Sequence, residues 1–191
     1  MNNKFFSTFT PVLNTIDNGS FFKNPFKWLY IIFAVLNLLL PLFVLYTAID
    51  NNVFQAPARF SIAFILIWLV MAAAGWISFQ IWWNRKDKVM EASRENAAFI
   101  ATPVFAHLIQ TGGEWLGTWL AIVGSLSSLF LTLILGSNAR QLVYAMGLDI
   151  LNTGPLFIVL WPILGYILII LSRFISEQAR ALTTIANNTA R

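Results

Sequence analysis

The chain has 191 residues, of which 58% are apolar and 10% charged, and its net charge is +4. An average soluble domain is about 45–50% apolar and about 25% charged, so this composition excludes a soluble globular protein, which would expose large apolar patches. The chain has no cysteine and one histidine, which excludes disulfides, thiol nucleophiles and cysteine-based metal sites, and we predict neither a metal ion nor a cofactor.

The first 27 residues are predicted to form a cytoplasmic interfacial segment. Apolar side chains recur at roughly helical spacing over residues 5–16. That pattern is typical of an amphipathic helix lying along the lipid headgroups. A docking helix for a partner protein is the alternative.

Four apolar stretches follow, each close to the roughly 20 residues that a helix needs to cross a bilayer. They cover residues 28–49, 60–83, 115–135 and 155–171, and none contains a charged residue or histidine. The sequence therefore predicts an all-α integral membrane protein whose four transmembrane helices form one domain over residues 28–172.

The first span contains Asn37, the one strongly polar side chain deep in a span, together with Pro41. Proline lacks an N–H, so Pro41 leaves the carbonyl of Asn37 without its helical hydrogen bond, and such groups need partners in lipid. Two interpretations stay open. Asn37 either holds the helices together or lines a pore or ligand pocket.

A helical cytoplasmic link is predicted over residues 84–114. No proline interrupts residues 60–102, so we expect the second span to continue as one helix to about residue 96. Residues 97–135 are about twice as long as one span needs. We therefore expect Gly112-Gly113 to separate the third span from residues 103–110, which would form an interfacial helix or a re-entrant dip.

A possible polar site at the cytoplasmic mouth consists of His107, Gln110 and Glu114. Polar groups near an interface can be solvated at little cost. The alternative is that Glu114, in the first turn of the third span, only complements the helix dipole.

The third span carries small residues on one continuous face. They are Gly117, Ala121, Gly124, Ser128 and Thr132. Small residues let another helix approach closely, so this is the predicted helix-packing face. Its partner, the second span or another chain, stays open at this point.

The fourth span repeats the proline pattern, because Pro162 frees the carbonyl of Ile158 and Gly165 follows three residues later. Discontinuous helices occur at transporter binding sites, but prolines are also common in packed membrane helices. We expect a fixed bend here, and residues 173–191 are predicted to form a cytoplasmic tail.

The orientation follows from lysine and arginine, which are enriched on the cytoplasmic side. Ten of the 12 basic residues lie before the first span, after the second or after the fourth, and only Arg59 and Arg140 lie on the other side. Both termini are therefore predicted to be cytoplasmic, and the positive charge needs no nucleic-acid partner. Short loops and the lack of cysteine favour a bacterial inner (plasma) membrane.

The sequence contains no nucleophile elbow, phosphate-binding loop or cofactor fingerprint, so we do not predict an enzyme. We expect a non-catalytic membrane subunit that scaffolds, stabilises or regulates a larger complex, with lipids and other membrane subunits or its own copies as partners. The alternative is a homo-oligomeric channel or passive permease for a small solute, lined by Asn37, Ser125, Ser128 and Thr132. A lipid-acting enzyme that uses Glu114 and His107 ranks third.

Overall fold

A computed structural model of the chain describes residues 10–11, 14, 20–91, 101–148 and 151–189. These residues form helices and turns and contain no strand, which confirms the all-α class. Most of the segment predicted as an interfacial helix, over residues 5–16, lies outside the described residues.

Four long helices dominate the described part of the chain. They are α1 (Ser20–Asp50), α2 (Ala58–Arg85), α4 (Ala101–Ile134) and α6 (Pro155–Thr189). Two short helices, α3 (Lys88–Glu91) and α5 (Ala139–Ala145), lie in the links. Each long helix is long and apolar enough to cross a membrane, as the sequence predicts for four helices.

The helices form two hairpins that lie side by side. Helix α1 packs along α2, α4 packs along α6, and contacts between α2 and α4 join the hairpins. We call the end that carries the α1–α2 and α4–α6 links the loop end, and the opposite end, where Arg85 and Arg173 lie, the arginine end. Helix α6 packs mainly against α4 and is therefore at the edge of the assembly.

Helix α5 closes the loop end of the core. Its side chains Leu142 and Val143 are buried in the same cluster as apolar residues of α1 and α2. The Thr47 hydroxyl donates to the carbonyl of Met146 at 3.3 Å, and the Asn51 amide donates to the carbonyl of Ala145 at 3.1 Å. These bonds attach the α4–α6 link to the end of α1.

The prediction that the second span continues as one helix to about residue 96 is wrong. Helix α2 ends at Arg85, and after a turn the chain forms the single helical turn of α3. Val89 in that turn is fully buried with Tyr30 and Trp82. Burial of this apolar side chain stabilises α3 in its position beside α1 and α2.

The prediction that Gly112-Gly113 separates two pieces is also wrong. Helix α4 runs without a break through both glycines, so residues 103–113 form neither a separate interfacial helix nor a re-entrant dip. Gly113 lies directly against Ser172 of α6, where a side chain would overlap Ser172. The 34-residue helix is about 51 Å long at 1.5 Å per residue, so it extends beyond a bilayer core.

Backbone contact between α4 and α6 depends on a pair of facing glycines. A Cβ on Gly117 would overlap the carbonyl oxygen of Gly165, and a Cβ on Gly165 would overlap that of Gly117. A Cβ on Gly165 would also lie 2.9 Å from the Cβ of Ala121. The absence of side chains therefore brings the two helices together, as is common in membrane bundles.

Two alanine substitutions in α4 test this packing. Gly117→Ala should destabilise the chain by about 1–3 kcal/mol, because the added methyl group overpacks the interface with backbone atoms of α6. Gly112→Ala is the matched control, since a Cβ there meets nothing within 4 Å, and helix propensity should stabilise it by about 0.5–1 kcal/mol. Thermal unfolding in mild detergent measures both, and equal effects of the two variants would contradict the close approach.

Candidate functional site

Glu114 lies at the centre of a polar network at the arginine end. Its side chain is only 7% exposed. Arg85, at the end of α2, forms an ion pair with one carboxylate oxygen. The other oxygen accepts hydrogen bonds from Arg173 Nε of α6 at 2.7 Å and from Gln110 Nε2 at 3.0 Å. One carboxylate thus joins three helices and both hairpins.

Arg180 extends the network about two turns further along α6, seven residues after Arg173. Its guanidinium donates to Oε1 of Gln110, to Oγ of Ser176 at 2.6 Å and to the carbonyl of Ser176 at 3.4 Å. All three acceptors are neutral. Arg173, Ser176 and Arg180 follow one another at intervals of three and four residues, which places them on one face of the helix.

His107 belongs to a second cluster beside this network, at the interface of α1 and α4. Its Nδ1 lies 2.8 Å from the hydroxyl of Tyr30, and that hydroxyl donates to Oγ1 of Thr111 at 3.2 Å. Tyr30 is fully buried and packs edge-on against Trp82, with ring centroids 5.0 Å apart. Of the predicted residues at this end of α4, Gln110 and Glu114 therefore share one network, whereas His107 belongs to the separate cluster around Tyr30.

The arginine end is also held by an ion pair outside the spans. Lys27 Nζ lies 3.0 Å from the carboxylate of Asp87, which follows α2 directly. The hydrogen bond from Lys27, with the charges of Lys27 and Lys86, lowers the pKa of the Asp87 carboxyl below its usual value. This contact ties the start of α1 to the end of α2.

Asn37 bonds both within its helix and to a neighbour. Its Nδ2 donates to the carbonyl of Phe33 at 2.7 Å, and its Oδ1 accepts from Trp115 Nε1 of α4 at 2.8 Å. The carbonyl that Pro41 frees lies against Gly75 of α2, where a Cβ would be 2.7 Å away. The side-chain amide of Asn37 thus bonds to α1 and α4, and its main-chain carbonyl packs against α2.

The second proline bend has a matching partner on α4. The hydroxyl of Ser125 donates to the carbonyl of Ile158 at 2.8 Å, and this is the carbonyl that Pro162 leaves without its helical bond. Because the donor comes from α4, the bend in α6 is compensated by its neighbouring helix.

The small-residue face of α4 packs on α6, not on α2. Gly117 lies against Gly165, and Gly124 lies against the indole of Trp161, whose Cδ2 would be 2.7 Å from an added Cβ. Ala121 contacts Gly165, and Ser128 Oγ donates to the carbonyl of Asn152 at 3.5 Å. Thr132 Oγ1 is buried and has no hydrogen-bond partner.

Several residues of the site escape a search of the sequence alone. Arg85, Arg173 and Arg180 look like ordinary basic residues that follow a span, and Tyr30 looks like a span residue. The one indication in the sequence is the three- and four-residue spacing of Arg173, Ser176 and Arg180, which places them on one helix face. The π-helical turn Leu120–Gly124 within α4 has no sequence signature of this kind.

The arrangement is suited to holding helices together. The Glu114 carboxylate is engaged by two arginines and an amide, so it is not free to accept a proton from a substrate. Within the described ranges, no group of three His, Cys, Asp or Glu side chains could hold a metal ion. No family model, curated protein or solved structure matches the chain.

Neutralising the central carboxylate tests the network. Glu114→Gln should lower the free energy of unfolding by about 1–3 kcal/mol, because it leaves Arg85, which is partly buried, without its counter-ion. Glu177→Gln is the control, since Glu177 is exposed on α6 and its loss should change little. Thermal unfolding in detergent measures both variants, and an unchanged midpoint for Glu114→Gln would contradict the role of the network.

Proposed function

We propose that this protein is a non-catalytic, multi-pass membrane subunit that scaffolds, stabilises or regulates a larger assembly through helix packing. Its membrane would be a bacterial inner (plasma) membrane, with both termini in the cytoplasm. The partners are other membrane subunits, and copies of the chain itself are the alternative.

The outer surface of α6 is the observation that carries this proposal. In the most apolar 18-residue stretch of α6, only 11% is buried within the chain, whereas 28–33% is buried in the corresponding stretches of the other three long helices. The outward side chains are large and apolar, and they include Leu156, Val159, Ile163, Tyr166, Ile167, Ile170 and Phe174. An edge helix of this kind has the most surface left for a helix of another subunit.

The use of the polar groups inside the spans also supports a packing role. Asn37, Ser125 and Ser128 each bond to protein atoms of the same chain. A channel or permease would instead need polar groups that face a water-filled path. Of the four residues expected to line such a path, only Thr132 has a hydroxyl without a partner. The geometry thus favours the subunit over the channel.

Photo-crosslinking distinguishes a partner from lipid. A photoreactive amino acid at Ile167, on the outer face of α6, should crosslink to a defined polypeptide in native membranes. The same amino acid at Leu39 of α1 is the control, because Leu39 is similarly exposed but lies on the other hairpin, and it should crosslink mainly to lipid. The mass and composition of the particle extracted in mild detergent complete the test. Particles that hold only this chain would overturn the accessory-subunit proposal and favour the homo-oligomeric alternative.

The lack of native cysteine makes the proposed orientation directly measurable. Single cysteines can replace Thr184 near the end of α6 and Asn52 at the loop end, both exposed. In intact cells, a membrane-impermeant maleimide should label Asn52→Cys and leave Thr184→Cys unlabelled until the cells are opened. Labelling of Thr184→Cys alone in intact cells would reverse the proposed orientation.

A further inference from the structure

We propose that the arginine end binds the phosphate group of an anionic phospholipid, with Arg85 and Arg180 as the principal ligands. The proposal rests on an excess of positive charge, a buried donor without an acceptor, and the depth of the site.

The charges at the arginine end do not balance. Arg85 and Arg173 share the single carboxylate of Glu114, and Arg180 donates only to neutral oxygen atoms. The nearest other paired acid, Asp87, is engaged by Lys27 and Lys86. In the part of the chain that the structure describes, three guanidinium groups thus face one carboxylate.

Two arginines meet in one hydrogen-bonded chain of side chains. Arg85 binds Glu114, Gln110 donates to Glu114, and Arg180 donates to Gln110. Arg85 comes from α2 and Arg180 from α6, so the fold brings them together from separate elements. Guanidinium groups on several elements can bind one phosphate through charge-assisted hydrogen bonds.

Arg85 has an unused donor. Its Nη1 is buried and has no hydrogen-bond partner, although its Nη2 binds Glu114. An unsatisfied buried N–H of a charged group costs free energy. Since the Arg85 side chain as a whole is 24% exposed, a phosphate oxygen can approach the guanidinium from outside and supply the missing negative charge.

The depth of the site fits a lipid headgroup. Arg180 lies 25 residues after Pro155, the first residue of α6, which is about 38 Å at 1.5 Å per residue. Arg85 lies 27 residues after Ala58, the first residue of α2, or about 40 Å. Both lengths exceed the bilayer core of about 30 Å and lie within the roughly 40–45 Å that includes the headgroups. Exposed Trp28 and Trp83 lie toward the same end, as is usual at the interface.

Native mass spectrometry of the full chain in detergent tests the proposal by titration with short-chain lipids. Phosphatidylglycerol should bind at least about tenfold more tightly than phosphatidylcholine, because the choline cation is repelled by the arginines. Arg180→Gln should weaken phosphatidylglycerol binding by about tenfold, the value of one charge-assisted hydrogen bond. Arg180→Lys should retain most of the binding, and Arg140→Gln at the loop end should not change it.

Inorganic phosphate distinguishes the two sources of the ligand. The site is supported if phosphate competes with phosphatidylglycerol and Arg180→Gln abolishes this competition. Binding of phosphate alone, lost in the same variant, would assign the site to the free anion. Equal binding of the two lipids by the unmodified chain, without phosphate binding, would overturn the proposal, and this comparison needs no variant to fold. An equal loss of binding in Arg140→Gln would also overturn it. Because the measurement uses the isolated chain, its failure would leave the proposed subunit function unaffected.

Discussion

One carboxylate connects the two halves of this protein. The α1–α2 hairpin contributes Arg85 and the α4–α6 hairpin contributes Arg173, and both bind Glu114. At the loop end, Thr47 and Asn51 of α1 donate hydrogen bonds to the α4–α6 link, and between the two ends Asn37 accepts a hydrogen bond from Trp115. Apolar contacts between the hairpins are weakly directional, and lipid chains compete for them. The ion pairs of Glu114 therefore help to position one hairpin against the other, together with these hydrogen bonds.

The interior of the spans obeys a different constraint, because lipid offers no hydrogen bonds to a freed backbone carbonyl. Each proline bend is matched by a neighbouring helix. Ser125 donates to the carbonyl that Pro162 frees, while α2 has a glycine, Gly75, where the chain around Pro41 comes close. The glycines of α4 and α6 bring these two helices into backbone contact. The bend in each proline-containing helix therefore requires its neighbour, α2 for α1 and α4 for α6.

The sequence predicts the helical class and the four spans because a stretch of about 20 consecutive apolar residues is typical of a transmembrane helix and rare in other structures. It also predicts that Asn37 and the small face of α4 matter, but it does not identify their partners. The continuous α4 was missed because glycine is read as a helix breaker, whereas Gly113 is present because Ser172 leaves no room for a side chain. The position of α3 was missed because burial of Val89 stabilises it, and no local pattern reveals that burial. The arginines of the site come from two helices that are distant in sequence, so only the fold shows that they meet.

The π-helical turn Leu120–Gly124 lies between the charged end of α4 and its apolar half. A π turn holds one more residue than the α-helical turn it replaces, and one residue of an α-helix corresponds to about 100° of rotation. The π turn therefore absorbs one extra residue within a single turn and leaves the two halves of α4 in phase with each other. After the turn, each residue faces its neighbouring helix one position later in the sequence than in a regular helix. Ser125 consequently reaches the carbonyl of Ile158 from a position that a purely α-helical numbering of α4 would assign to a different face.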